Sequence, residues 1–404
     1  MVKSTRAVVS PVMLALVFGL WTASRSLAQV APRLDLARGP MATSGRITGL
    51  AGAYAGIGDG LEGYRRNPAS MANRGYEASG WFHPSIFFAG MRSVSNIDYD
   101  NDDARSATDQ GIDGFSTGLR LALGHFALGA MYWTRTHTAS AGPSELDAQH
   151  REVTFMAGLA LGEGRILVGA GGGPRTFTLS APGLPDVDYQ TLFADAGILY
   201  RPMVRNWRIG ARLRLPASAK LAAGSPGGYP SLAANPPGSM LAQPLPSRVL
   251  YPWELNVGAS YMFRAGERQR NPPIGGWDAW GAKRHLPDRR YVLVAADLTV
   301  DGWTSNTVGM ESYFDGPAGH RPAGKMGIGL HLGVESEAIH NRMRVRAGTY
   351  TESSRATGKV FSRVHFTGGM DVYLIDLWLF AIRVGVAADV APRYSNLQVG
   401  LGLW

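Results

Sequence analysis

The sequence predicts an all-β chain: a transmembrane antiparallel β-barrel of about 14 strands. Three observations carry this. Long segments alternate apolar residues with polar or small ones at period two. These segments are even in number, and their connections alternate between short and long. The chain also opens with an export signal. Composition agrees: 52 of 404 residues are glycine, about twice ordinary usage, which favours tight turns and close strand packing over helix. There is no cysteine, which excludes thiolate metal sites, disulfide frameworks and cysteine nucleophiles.

The first element is residues 1–28. Lys3 and Arg6 precede an uncharged apolar run, Ala7 to Ala23, and Ser26-Leu27-Ala28 before Gln29 has the small-x-small form of a cleavage site. A basic start, a short greasy core and a small-residue exit read as a secretory signal peptide. A membrane anchor is the alternative, but the run contains Ser10 and Pro11 and is shorter than the ~20 residues a span needs. The mature chain is expected outside the cytoplasm, in the outer membrane of a Gram-negative bacterium. No later stretch suits a membrane helix. The greasiest, Leu374 to Val390, carries Asp376, Arg383 and Asp389, and each charge at mid-bilayer costs ~2.5–3.5 kcal/mol on insertion scales.

The strands are legible by parity. From Trp207 to Leu215 the odd positions are apolar, while Arg208, Gly210, Arg212 and Arg214 hold the even ones. Arg342-Met343-Arg344-Val345-Arg346-Ala347 repeats the pattern, and Leu119, Leu121 and Leu123 alternate with Gly118, Arg120 and Ala122. Successive strand side chains point to opposite faces, so each segment has one greasy face. A soluble sandwich alternates too, but these segments are long and their polar faces carry rows of arginine. The expected strands are 76–92, 115–124, 125–138, 150–161, 165–179, 188–200, 206–216, 249–264, 289–303, 324–335, 342–352, 359–374, 376–390 and 396–404. Connections after even strands are mostly short, with 265–288 the exception. Those after odd strands include the long 93–114, 139–149, 217–248 and 304–323. Outer-membrane barrels have this phase, and closure leaves no sheet edge facing lipid. Trp81, Phe82, Trp133, Tyr200, Trp207, Tyr251, Trp253, Tyr261 and Trp303 near strand ends suit interfacial girdles. The terminal Trp404 resembles the barrel insertion signal, although Gly402 stands where a second aromatic is usual.

Between signal and barrel, residues 29–75 hold a glycine-rich run from Gly45 to Gly60, GRITGLAGAYAGIGDG, followed by Asn67-Pro68-Ala69. This pattern resembles the start of the FadL-like outer-membrane transport family, which includes the toluene-type hydrocarbon channels. Softer matches are Leu245-Pro246 ahead of Trp253 to Tyr261, and Arg346 to Tyr350. The resemblance implies a hatch over 29–75 inside a barrel over 76–404. It also implies passive, cofactor-free uptake of a fatty acid or hydrocarbon through the lipopolysaccharide-bearing membrane. The ligand is captured at outer loops, passed to a lumen site and released sideways at a strand kink beside Asn67, Pro68 and Ala69. For capture, 217–248 offers Leu221, Tyr229, Leu232, Met240, Leu241 and Leu245, or else it is a Pro/Gly/Ala linker. For the kink, the resemblance points to strand three, where Gly129 is the candidate, whereas Gly171-Gly172-Gly173-Pro174 in strand five is the stronger breaker.

Arg208, Arg212, Arg214, Arg342, Arg344 and Arg346 are expected to face the lumen. They form either a carboxylate clasp or ion pairs with acids such as Asp59, Glu62, Asp195, Asp297 or Asp389; pairing is the favoured reading, because buried charges are usually paired. Other chemistry is poorly supported. Gly114-Phe115-Ser116-Thr117-Gly118 matches G-x-S-x-G, but a strand follows Ser116 where a nucleophile elbow needs a helix. Asp98 to Asp103 offers oxygen donors for Ca²⁺ without the EF-hand Gly and Glu, and a solvated outer loop explains it as well. The net charge of +9 lies in alternating strands rather than in a patch, so no nucleic-acid partner is expected. No metal or enzyme activity is expected, and a monomer is the favoured state. The alternative functions are a PorV-like partner in protein secretion and, furthest from the residues, an outer-membrane lipolytic enzyme acting through Ser116.

Overall fold

The computed structural model describes residues 31–37, 44–74, 81–96, 98–101, 109–141, 144–203, 205–225, 244–264, 270–271, 273–274, 291–315, 322–340, 342–356, 362–377 and 380–403. Among them, long antiparallel strands follow in chain order: β1 (Phe82–Asn96), β2 (Asp109–Leu123), β3 (Phe126–Ala141), β4 (Ser144–Leu161), β5 (Ile166–Ser180), β6 (Val187–Tyr200) and β7 (Trp207–Arg214). The second half continues with β8 (Glu254–Arg264), β9 (Tyr291–Asp301), β10 (Gly327–Ile339), β11 (Met343–Ser353), β12 (Ser362–Leu377), β13 (Phe380–Ala391) and β14 (Tyr394–Leu403). Each pairs with its chain neighbours. β14 returns to β1, with Gly400 opposite Ala89, and this closes a 14-stranded barrel. No described helix is long and apolar enough to cross a membrane.

Strand parity sets the two faces. Along β7, Ile209 and Leu213 are exposed while Arg208, Gly210, Arg212 and Arg214 are buried. Exposed apolar side chains recur on successive strands, for example Leu119, Leu128, Phe155, Ile198, Val257, Leu298, Leu330, Phe366, Val386 and Val399. Hydrocarbon is the solvent that suits such a belt. Each large apolar side chain taken out of water gains about 1.5–3 kcal/mol.

Connections after odd strands gather at one end, the cap end. There β7 and β8 are prolonged by strands Ala217–Leu221 and Arg248–Tyr251, which pair with each other. Residues Arg33–Asp35 run parallel to Arg248–Leu250 and to Thr307–Val308. With a helix, α1 (Met310–Phe314), these pieces bury Leu34, Leu36, Phe177, Tyr189, Val249, Tyr313 and Phe314 in one cluster over the mouth. The strands run further than sequence alone indicated. The connection expected over 139–149 shrinks to 142–143, and that expected over 93–114 shrinks to 97–108, because the outer strand ends continue the alternation with polar residues.

Residues 44–74 lie inside the ring. Ser44 caps a short helix, α2 (Gly45–Gly49), and one-turn 3₁₀ helices follow at Glu62–Arg65 and Pro68–Met71. The segment meets the wall on every side, and glycine makes the approach possible. A Cβ on Gly169 of β5 would lie 2.1 Å from Pro68 O, and one on Gly210 of β7 would lie 2.0 Å from Ala55 O. A Cβ on Gly333 of β10 would lie 2.6 Å from Leu50 O, and one on Gly369 of β12 would lie 3.3 Å from Gly49 Cα. This close approach is the use to which much of the glycine content is put.

Candidate chamber and the adjoining break in the wall

Asn67-Pro68-Ala69 is a helix start. Asn67 Oδ1 accepts from Ala69 N at 3.0 Å, and Pro68 occupies the first helical position, where a missing N–H costs nothing. Asn67 Nδ2 donates to Ala55 O at 2.9 Å and to Ile198 O of β6 at 3.0 Å. One fully buried side chain thus ties the inner segment to itself and to the wall.

Between this segment and the cap lies a chamber of about 170 Å³. Leu36 and Met310 close it from the cap, Arg65 and Arg66 from the inner segment, and Trp133, His150, Arg175 and Tyr251 from the wall. Its aromatic groups are packed together. The Trp133 and His150 rings meet edge to face at 4.8 Å, and His150 lies 5.2 Å from Tyr251. Arg65 sits 4.1 Å over Trp133, and Arg175 sits 4.1 Å over Tyr251. Glu152 is the hub, 2.5 Å from Arg65, 2.6 Å from Arg175 and 3.1 Å from Arg214. Trp133 and Tyr251 do not belong to an interfacial girdle; both are buried and face inward. The signal was parity, since Trp133 shares its face with Arg135 and His137, whereas proximity to a strand end says nothing about facing. Tyr200, Tyr261 and Trp303 do point outward.

The six arginines singled out by alternation separate. Arg208 pairs with Asp59 at 2.6 Å. Arg212 bridges Asp195 at 3.1 Å and Glu254 at 2.7 Å, and Arg214 bridges Asp195 at 3.0 Å and Glu152. Arg346 holds Glu335 at 2.5 Å and Asp371 at 2.9 Å. Arg344 is half-buried, and Arg342 is exposed in the turn before β11. Of the six, Arg214 alone is among the described lining of the chamber. Asp59 and Asp195 were named as partners from sequence, but Glu152, Glu254, Glu335 and Asp371 were not. Asp297 instead accepts the backbone N–H groups of Tyr54 and Ala55, each at 2.7 Å.

β3 is continuous at Gly129, where a Cβ would lie 2.7 Å from Met71 Cε, so that glycine makes room for the inner segment and does not kink the strand. The irregularity is in β5. Its ladder with β4 runs to Glu152–Arg175 and resumes at Phe155–Gly172, leaving Val153-Thr154 and Gly173-Pro174 unpaired while the register is kept. Pro174 has no N–H to give. On the other side, β5 and β6 stay fully paired. Glu152 and Arg175 border the lapse and line the chamber.

Of the capture residues, Leu221 ends a cap strand and Leu245 packs on the cap cluster. Tyr229, Leu232, Met240 and Leu241 lie outside the described residues. Ser116 is buried in mid-strand, opposite Ala89 and Trp133, with no strand-to-helix elbow around it. Asp98 and Asp100 gather with Glu311 of α1, one carboxylate oxygen from each within 4.8 Å of the others; Asp102 and Asp103 lie outside the described residues. Glu311 Oε2 accepts from Tyr99 N at 2.5 Å and Asp100 N at 3.1 Å. Burial, then the neighbouring Asp100 charge, pushes the Glu311 carboxyl up to about 9.

The closed barrel, with a glycine-lined inner segment beneath a cap, can be set beside solved structures. A FadL homologue from Pseudomonas aeruginosa is 12% identical, with 90% of this chain covering 98% of that one at a TM-score of 0.52. The fold is FadL-like. The monoaromatic hydrocarbon channel CymD shares it at 12% identity, 90% and 97% coverage and a TM-score of 0.55. The toluene transporter TbuX of Ralstonia pickettii does so at 13% identity, 89% and 96% coverage and a TM-score of 0.53. The sequence itself matches no protein-family model and no curated protein.

Proposed function

We propose that this FadL-like barrel is a passive outer-membrane channel for small hydrophobic molecules, exported by the 1–28 signal and plugged by a hatch over 29–75. The observation that carries the reading is the chamber. It lies between cap and hatch, has aromatic rings in its wall, and is bordered by the one lapse in the β4–β5 ladder. A solute entering from the cap end reaches lipid sideways through that weak point, without passing the hatch. Asn67-Pro68-Ala69 supports this path, since Pro68 abuts β5 at Gly169, close to Gly171–Pro174. The hydrocarbon cargo of CymD and TbuX is consistent with it.

The paired arginines act as lumen structure in this reading, not as a fatty-acid clasp. Replacing Arg212 and Arg344 together is expected to destabilise the barrel and leave laurate binding unchanged; lost laurate binding in a stable barrel restores the clasp. One observation favours a secretion partner instead: the inner segment fills the lumen on every side. Two measurements separate the readings. Mass spectrometry of molecules retained by the purified barrel is expected to find hydrophobic small molecules. A barrel that retains none, from cells whose secreted proteins change when the gene is removed, is a secretion partner.

A further inference from the structure

The chamber's hydrogen-bonding groups are unevenly satisfied. Tyr251 Oη, Arg175 Nε and both ring nitrogens of His150 are buried and have no hydrogen-bond partner among the described residues. His150 Nε2 stands 3.5 Å from Glu152, and Arg175 keeps its Nη2 on Glu152 at 2.6 Å. These side chains are neighbours across the aromatic wall. Three of the lining carboxylates are already engaged. Glu152 also holds Arg65 and Arg214, Glu254 holds Arg212 and Asn256, and Asp35 holds Arg355. A phenol O–H, an imidazole N–H and a guanidinium N–H remain, and each of them donates.

Surplus buried donors call for an acceptor rich in oxygen, and a carboxylate takes several hydrogen bonds at once. The ring walls call for an aromatic body, since edge and face contacts at these spacings are favourable. Volume decides the length. A cavity of ~150 Å³ is known to take benzene, so about 170 Å³ suits one ring with a small substituent, whereas a long acyl chain exceeds it.

We infer that the chamber takes a small aromatic carboxylate of the benzoate class. Its ring rests against Trp133 and Tyr251. Its carboxylate accepts from Tyr251 Oη, a His150 ring N–H and Arg175 Nε. This names the cargo of the uptake reading and rests on it.

The test is equilibrium binding of benzoate, toluene and decanoate to the full barrel purified in detergent. Benzoate is expected to bind most tightly. Tyr251→Phe and His150→Phe are each expected to weaken benzoate about tenfold and leave toluene unchanged, as loss of a charge-assisted hydrogen bond does. His150→Gln, which keeps a donor, is expected to recover part of the loss, and wild-type heat-modifiable mobility identifies the folded variants. If benzoate binds no better than toluene, or both Phe variants leave its affinity unchanged, the inference fails while toluene or decanoate binding keeps the uptake reading. Binding of none of the three overturns the uptake reading and the inference with it.

Discussion

Asn67 shows how much one side chain holds. It caps a 3₁₀ turn and donates to two carbonyls, the buried Ala55 O and the part-buried Ile198 O. Removing the cap costs ~1 kcal/mol, and each buried acceptor left bare adds about 1–3 kcal/mol. Asn67→Ala is therefore expected to release the inner segment before the barrel melts. Hydrogen exchange resolved by segment checks this: protection lost over 44–74 and kept in the strands. Arg212 tests the opposite kind of contact. Its guanidinium is fully buried between Asp195 and Glu254, so Arg212→Met takes one cation from two buried carboxylates, Asp195 keeping Arg214 and Glu254 keeping Asn256, at up to about 3–5 kcal/mol. Thermal unfolding in detergent measures it, and a midpoint equal to wild type contradicts the pairing.

At the scale of elements, the cap and the β4–β5 lapse carry separate predictions. Glu311 is held protonated up to about pH 9 in the folded cap, against ~4.3 in an unfolded chain. The folded state therefore binds a proton that the unfolded state has lost. The cap's stability is full below about pH 4, falls as pH rises and levels off above about pH 9. Exchange rates over 98–101 and 310–314, corrected for intrinsic pH dependence, are expected to show that slope, and Glu311→Gln to abolish it. At the lapse, Pro174 is exposed on the outer face. Pro174→Val restores an N–H to β5 and keeps an apolar surface toward lipid, so it is expected to preserve barrel stability and slow solute uptake. Unchanged uptake places the exit elsewhere. These elements were unequally legible in the sequence. Arg208, Arg212 and Arg214 declared an inward face because parity is a local property, and each of the 14 strands was recognisable for the same reason. Trp133, His150 and Arg175 declared no chamber. A shared cavity depends on strand register and on cap residues from distant loops, neither of which leaves a local pattern.

For the whole molecule, a greasy exterior, an inner segment packed through glycine and a ring-walled chamber are what the proposed passage of a solute from the outside into lipid requires. The fold was readable in advance because alternation, an even strand count and the phase of connection lengths all report closure. The cargo proposed here was not, because that proposal rests on a few buried donors without a hydrogen-bond partner among the described residues. The most direct test is the influx of benzoate, toluene and laurate into cells lacking the gene, with and without the restored chain. Faster influx of one of them on restoration, reduced again by Pro174→Val, is the result expected. Equal influx in both strains, with an altered set of secreted proteins, contradicts a channel.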